Sequence, residues 1–397
     1  MSMVQITPKK MSEMLVKLYL SGVKIPTIML HGAPGVGKSE GVKGFCQELS
    51  LATQKKVNFS DIRLLNFSPV DVRGIPVPHV KETIMHRDNV SHISDNSLAV
   101  EIEEFDPESE EFQKNLVKVK EKFSIWLKPI IFNLDPSPDV INVLLLDEIT
   151  AAPPSVQASA YQLTLDRKIG EHTIPDNTII IGAGNRITDK GVVYKMPTPL
   201  ANRMSHFEVV ATFEDWKPWA IKNGIHQLVV AFLSFRENYL HKFDPNSDDL
   251  AFPTPRSWEF VSRYLKVFET PDNLFPEEAK PIISATIGEG VATELRSFAK
   301  TFNRIPNTHD IYDGKPVKFD SNSVDVLCAL CADIVVKGAK KEAEHFKNLF
   351  NFLMSGQISA EYATLIIKDL ILTDAKVKFM NLPEWMKWVK ENKALVL

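Results

Sequence analysis

Residues 32 to 39 read Gly32-Ala33-Pro34-Gly35-Val36-Gly37-Lys38-Ser39, between the apolar run Thr27 to His31 and the helix-forming segment Glu40 to Leu49. A glycine-rich loop joining a strand to a helix can turn successive backbone N–H groups and the helix N-terminus toward phosphate oxygens. In that setting Lys38 reaches the β and γ phosphates of a nucleotide, and the Ser39 hydroxyl reaches a magnesium ion. A second constellation follows the apolar run Val143 to Leu146, which ends in the adjacent carboxylates Asp147 and Glu148. In parallel sheets, ligands gather beyond the carboxyl ends of the strands. Neighbouring strand residues point differently, so the two acids can take separate work. Asp147 suits the magnesium shell, and Glu148 suits orienting and polarising an attacking water. Such a pair also caps helices; the loop upstream favours the chemical reading.

Three further residues stand at informative places. Asn185 follows Gly182-Ala183-Gly184, small residues that leave room beside a phosphate, although Asn after glycine also makes plain turns. Arg203 precedes the run Phe207 to Val210, which puts it on a rim of the protein. Arg256 follows Thr254-Pro255, a cap and first-turn pair that starts a helix and sets the guanidinium at its N-terminal end. The alternatives are a solvated arginine at 203, with Arg186 as its competitor, and a surface ion pair at 256.

Five short runs must position these groups: Thr27 to Leu30, Ile62 to Asn66, Val143 to Leu146, Thr178 to Ile181 and Phe207 to Val210. Separated by turn residues and helical patterns, they predict a parallel α/β sheet with helices on both faces. Between Pro78 and Trp126 the pattern fails. Nine acids and no lysine or arginine lie between Asp88 and Gln113, so residues 79–125 read as an acidic, solvated insertion. The segment Arg167 to Asn177 alternates about a turn and predicts a hairpin. After Ala211 strand signals nearly vanish, and Trp258 to Phe268, Val324 to Val336 and Lys340 to Met354 carry helical spacing. The expected division is 1–211 for the α/β domain, 212–271 for a helical lid and 272–397 for a helical extension.

The whole composition sets limits. The chain has 397 residues, 44% of them hydrophobic and 24% charged, which excludes global disorder and fibrous repeats. Its net charge of −4 gives no strongly basic surface, and no basic stretch interleaved with aromatics is present, which argues against a nucleic-acid motor. Three cysteines, Cys46, Cys328 and Cys331, are too few for a disulfide framework and fit a reducing compartment. The Cys328-x-x-Cys331 pair sits in a helical pattern and reads as core packing rather than a metal or redox site. No run approaches the ~20 apolar residues of a membrane span. The N-terminus carries no signal-peptide core and reads as a helix closed by Gly22, so a cytoplasmic location is expected.

Taken in order, His31 to Ser39, the strand ending LLLDEIT, and the segments IIIGAGNR, PLANRMSHFEV and AFPTPRSWEF resemble the motifs of a MoxR-type AAA+ ATPase. The resemblance implies an AAA+ P-loop parallel sheet followed by the helical lid and extension, with ATP and Mg2+ as ligands. It implies that Asn185 is the sensor 1 residue, Arg203 the arginine finger acting on a neighbour's nucleotide, and Arg256 sensor 2 on the lid. The segment Pro69 to Pro76 resembles the family's lead-in to an insert in its second helix, which often faces a ring pore. The resemblance further implies a homo-oligomeric, hexameric ring that remodels or activates a protein client, with a von Willebrand A-type partner as the suggested class. The other classes left open are a nucleic-acid-associated motor and a nucleotide-gated scaffold with little hydrolysis.

Overall fold

The computed structural model describes residues 3–86, 99–104, 116–169, 171–189, 193–270 and 273–392. Eleven strands follow one another as β1 (Val4–Ile6), β2 (Ile28–His31), β3 (Lys56–Arg63), β4 (Ile75–His86), β5 (Ala99–Glu104), β6 (Leu116–Leu127), β7 (Val140–Asp147), β8 (Lys168–Ile169), β9 (His172–Thr173), β10 (Thr178–Gly184) and β11 (Ser205–Val209). Six of them form the main sheet in the order β1-β11-β2-β10-β7-β3, with every pairing parallel.

The runs that look continuously apolar in sequence are buried on both faces, and their alternation divides two cores. Ile28 and Leu30, Val143 and Leu145, Ile179 and Ile181 pack with Met11, Leu15 and Phe45 on one side of the sheet. Met29, Leu144, Leu146 and Ile180 pack with Val156, Ala160 and Leu163 on the other. The first side is covered by the helices Pro8–Leu20 and Lys38–Thr53, and the second by Pro154–Asp166. This is the expected parallel sheet with helices on both faces and a helical C-terminal region.

Two expectations need correction. The run placed at Ile62 to Asn66 is the end of β3, which starts at Lys56, and Leu64–Asn66 has already turned into a single 3-10 turn. Its polar Asn58, Ser60 and Asp61 belong to an edge strand, so continuous apolarity was the wrong signature for it. The insertion is not simply a solvated loop either. β4 and β6 pair antiparallel over twelve positions, from Ile75 opposite Leu127 to His86 opposite Leu116, and β5 adds a third strand. Lys81 stands opposite Glu121 and Glu82 opposite Lys120, placing opposite charges across the ribbon. Gly74, at φ 94°, begins this ribbon where an added Cβ would lie 2.2 Å from the Leu127 carbonyl oxygen. Of the nine acids, Glu101, Glu103 and Glu104 fall on β5, and the other six lie outside the described residues.

The N-terminal helix has the expected course, ending at Leu20 before Gly22 at φ 72°. The strand before it, β1, was not foreseen and extends the main sheet beyond β11. The hairpin between Arg167 and Asn177 is present as β8 paired with β9.

Beyond Ala211 the chain is helical among the described residues, apart from a single bridge between Thr270 and Asn273. One apolar core joins the helices Phe213–Lys222, Gln227–Phe235 and Pro255–Phe268 to Lys280–Ile287 and Glu289–Ala299. A second joins Ala343–Met354, Ala360–Ile371 and Pro383–Glu391. The helix Val324–Gly338 serves both, giving Cys328, Ala329 and Ala332 to the first and Leu327, Leu330, Cys331 and Ile334 to the second. Both cysteines are free and buried in these cores, and burial pushes the Cys328 thiol up to about 11. Across the same boundary, Lys217 and Asp369 form a buried ion pair at 2.7 Å. No helix of the described residues is long and apolar enough to cross a membrane.

Candidate functional site

The sheet order brings the carboxyl ends of β2, β10 and β7 side by side, and Gly184 stands opposite His31 in register. Residues 32 to 37 lead from β2 into the helix Lys38–Thr53, whose N-cap, Gly37, takes φ 94°. Gly35 has φ 75°, and a Cβ there would meet the Thr254 side chain at 2.8 Å. Only glycine fits that approach. Thr254 also caps the helix Pro255–Phe268, exchanging side-chain-to-backbone bonds with Ser257 at 3.0 and 2.7 Å. The His241 ring donates from Nε2 to the Pro34 carbonyl at 3.2 Å. Two points of the helical region therefore rest directly on the loop.

Lys38 lies within this pocket of backbone. Its Nζ donates to the carbonyls of Gly32 and Ala33 at 2.7 and 3.2 Å, and to Asn185 Oδ1 at 3.2 Å. Burial lowers its pKa to about 8; Asp147 and Asp189 oppose the shift, while the positive charges of Arg256 and Arg186 add to it. Ser39 Oγ donates to Asp147 Oδ2 at 2.8 Å. The other Asp147 oxygen accepts the Glu148 backbone N–H at 2.9 Å. Glu148 occupies the left-handed region at φ 56°, uncommon for a residue with a side chain. The turn is pinned by the Ile149 N–H, which donates to the Ala183 carbonyl of β10 at 3.0 Å. The Glu148 carboxylate is half-buried and has no hydrogen-bond partner among the described residues.

The three sequence-singled residues outside the loop and acid pair are distributed unequally. Asn185 closes β10 and touches Lys38, as noted. Arg256 is exposed at the first turn of its helix, close enough for its charge to act on Lys38. Arg203 is exposed in the turn between the helix Thr198–Ala201 and β11, with no ion-pair partner among the described residues. Its competitor, Arg186, is occupied within its own chain. It donates from Nε and Nη2 to Asp189 Oδ1 at 3.0 and 2.8 Å, and from Nη1 to Glu208 Oε1 at 2.7 Å. These bonds, the Asp189 contact foremost, hold the guanidinium pKa above its ordinary value.

Similarity to known proteins adds little to this geometry. No protein-family model matches the chain, and no curated protein does. Among solved structures, a mutant of RuvB from Thermotoga maritima is similar at 14% identity and a TM-score of 0.32, over 82% of this chain and 80% of that one. A DNA polymerase III gamma subunit-related protein from the same organism is similar at 12% identity and a TM-score of 0.29, over 97% of this chain and 91% of that one. A second RuvB mutant gives 15% identity and a TM-score of 0.30.

Several residues of the site were given no role by the sequence. His31 Nε2 lies 3.0 Å from His206 Nδ1, and His206 Nε2 donates to the Ala201 carbonyl at 2.7 Å. Burial, then the neighbouring His206 and Lys38, lower His31 to about 4 against the opposing pull of Glu208. Asp189, Glu208 and His241 were likewise given no role. Their partners lie far away in sequence, except that Asp189 follows Arg186 by three residues, a spacing that ion pairs use in helical turns.

The residues present fit magnesium and a nucleotide phosphate. Ser39 and Asp147 offer converging oxygen donors, the kind that hard divalent cations take. Gly35 and Gly37 allow the loop its left-handed turns, and Lys38 supplies a cation whose present partners are neutral oxygens.

Proposed function

We propose that the protein is a magnesium-dependent ATPase of the AAA+ type, hydrolysing the β–γ phosphoanhydride at a site completed by a second copy of the chain. The reading is carried by one observation: Lys38, Ser39, Asp147 and Asn185 are bonded together at adjoining strand ends, with an unpartnered Glu148 beside them. Magnesium held by Ser39 and Asp147 supplies charge neutralisation at the phosphates. Residues 32 to 39 bind the phosphate chain through backbone N–H groups, and Lys38 exchanges its carbonyl contacts for phosphate oxygens. Glu148, an unengaged carboxylate, orients the attacking water and accepts its proton. Asn185 holds that water or the γ phosphate. Arg256 reaches the phosphates from the helical region, which already rests on the loop through Thr254 and His241.

Arg203 fills the remaining role in trans. It is exposed and has no ion-pair partner among the described residues, whereas Arg186 is neutralised by two carboxylates of its own chain. Such a shared site requires a head-to-tail interface, and a hexameric ring is the closed form of it that the MoxR-like motifs suggest. The output is mechanical work on a protein client, with a von Willebrand A-type partner as the class that the MoxR-like motifs suggest, and a cytoplasmic setting.

The test is Glu148→Gln, which preserves shape but cannot take a proton. ATP should bind within about twofold of the parent, and single-turnover hydrolysis should fall by roughly 10² to 10⁴. A rate within a few-fold of the parent removes Glu148 from catalysis and passes the role to Asp147. Normal binding with negligible turnover in the parent itself would establish a nucleotide-gated scaffold instead.

A further inference from the structure

Two hydrogen-bonded imidazoles connect the phosphate loop to the turn that carries Arg203. His31 is the residue immediately before Gly32, and Ala201 stands two residues before Arg203. The Ala201 carbonyl can only accept, so the His206 Nε2 that lies 2.7 Å from it carries a hydrogen. With both rings neutral, His206 Nδ1 is then an acceptor, and His31 Nε2–H donates to it across 3.0 Å. The ring centroids lie 5.3 Å apart with the planes 24° from parallel, so the imidazoles meet edge to edge, nearly coplanar along the hydrogen bond that joins them. Strand pairing holds the two ends of this chain, since His206 is opposite Met29 and Glu208 opposite His31. The charged groups facing the pair are Lys38 and Glu208, and Glu208 is itself engaged by Arg186 and Gln5.

We infer that His206 is a positioning residue that holds Arg203 in register with its own subunit's phosphate loop, so that the arginine is presented correctly to the neighbouring subunit. The inference rests on the shared-site reading above. A misplacement of about 1 Å in a group acting on a transition state costs up to ~10²-fold in rate while leaving ground-state binding alone. The backbone carbonyl two residues before Arg203 is the handle through which His206 exerts that control.

The experiment compares His206→Phe, which keeps an aromatic ring and loses both hydrogen bonds, with His206→Gln, which keeps a donor for the Ala201 carbonyl. His206→Phe should bind ATP within about twofold of the parent and lose roughly 10- to 100-fold in turnover, with partial recovery in His206→Gln. The deciding readout is mixing. Combined with Lys38→Ala protein, whose Arg203 is intact, the His206→Phe protein should regain hydrolysis; combined with Arg203→Ala protein it should not. Recovery with Arg203→Ala rather than with Lys38→Ala would show a role at its own phosphate loop and overturn the inference. Recovery with neither, or undiminished turnover in His206→Phe alone, would overturn it too. If His206→Phe does not fold, His206→Gln is mixed in its place against the same two partners. The Lys38→Ala and Arg203→Ala mixture is the control, and its failure, with mixed assembly confirmed by mass, would reject the shared site itself rather than the role of His206.

Discussion

The Lys38 ammonium is held by three neutral oxygens in a buried place, and this sets a pH dependence that can be measured. Free in water a lysine titrates near 10.4; here burial brings it to about 8. Phosphate binds the ammonium, so affinity for a non-hydrolysable ATP analogue should be full below about pH 8. Above that it should fall by up to about tenfold per pH unit. Calorimetric titration between pH 7 and 9.5 checks this, and proton uptake on binding near pH 8.5 should accompany it. A flat profile would place Lys38 away from the phosphates. For the empty protein the sign is opposite. The unfolded chain holds more protons than the folded one between about pH 8 and 10, so this lysine's contribution to stability rises with pH there.

At the scale of elements, the ribbon can be separated from the sheet that bears the site. β4 and β6 pair with each other out to His86 and Leu116, so a two-residue Asn-Gly turn can join them in place of residues 87–115. That trimmed chain should stay soluble and bind ATP within about twofold of the parent, as fluorescence titration and thermal melting would show. Loss of folded protein would make the excised segment part of the fold. How legible each element was depended on how its burial is written. β7 and β10 are covered on both faces, and their unbroken apolar runs announce them. β1 has only Val4-Gln5-Ile6, largely exposed, and gives no such signal. The ribbon hides its alternation behind charges and behind Pro76 and Pro78, residues that argue against a strand anywhere but an edge, where β4 indeed lies. In the site, the loop and the acid pair were readable because each is a local pattern. The His31–His206 contact joins residues 175 positions apart, and nothing local marks it.

Across the whole molecule, the helical region is tied together by burial that includes charge. Lys217 and Asp369 lie on helices belonging to different apolar cores, and burial holds the Asp369 carboxyl above the usual range even with its partner at 2.7 Å. Lys217→Met would strand that carboxylate, at a cost of roughly 3 to 5 kcal/mol in urea unfolding. Acidification should recover part of the loss by protonating Asp369. Replacing both, Lys217→Met with Asp369→Leu, should return most of the stability. If the single and double variants unfold alike, the pair does not couple the two cores.

The parallel pairing of Val4 with Phe207 also has a consequence in time. During synthesis, β1 leaves the ribosome about 200 residues ahead of its sheet partner. At the usual ~5 to 20 residues per second, it waits on the order of 10 to 40 s unpaired. The helix Pro8–Leu20 faces a similar but shorter delay before the helix Lys38–Thr53 can cover Met11 and Leu15. The first strand of the chain is thus among the last to be secured in the main sheet, and the nascent protein depends on β11 to close that edge.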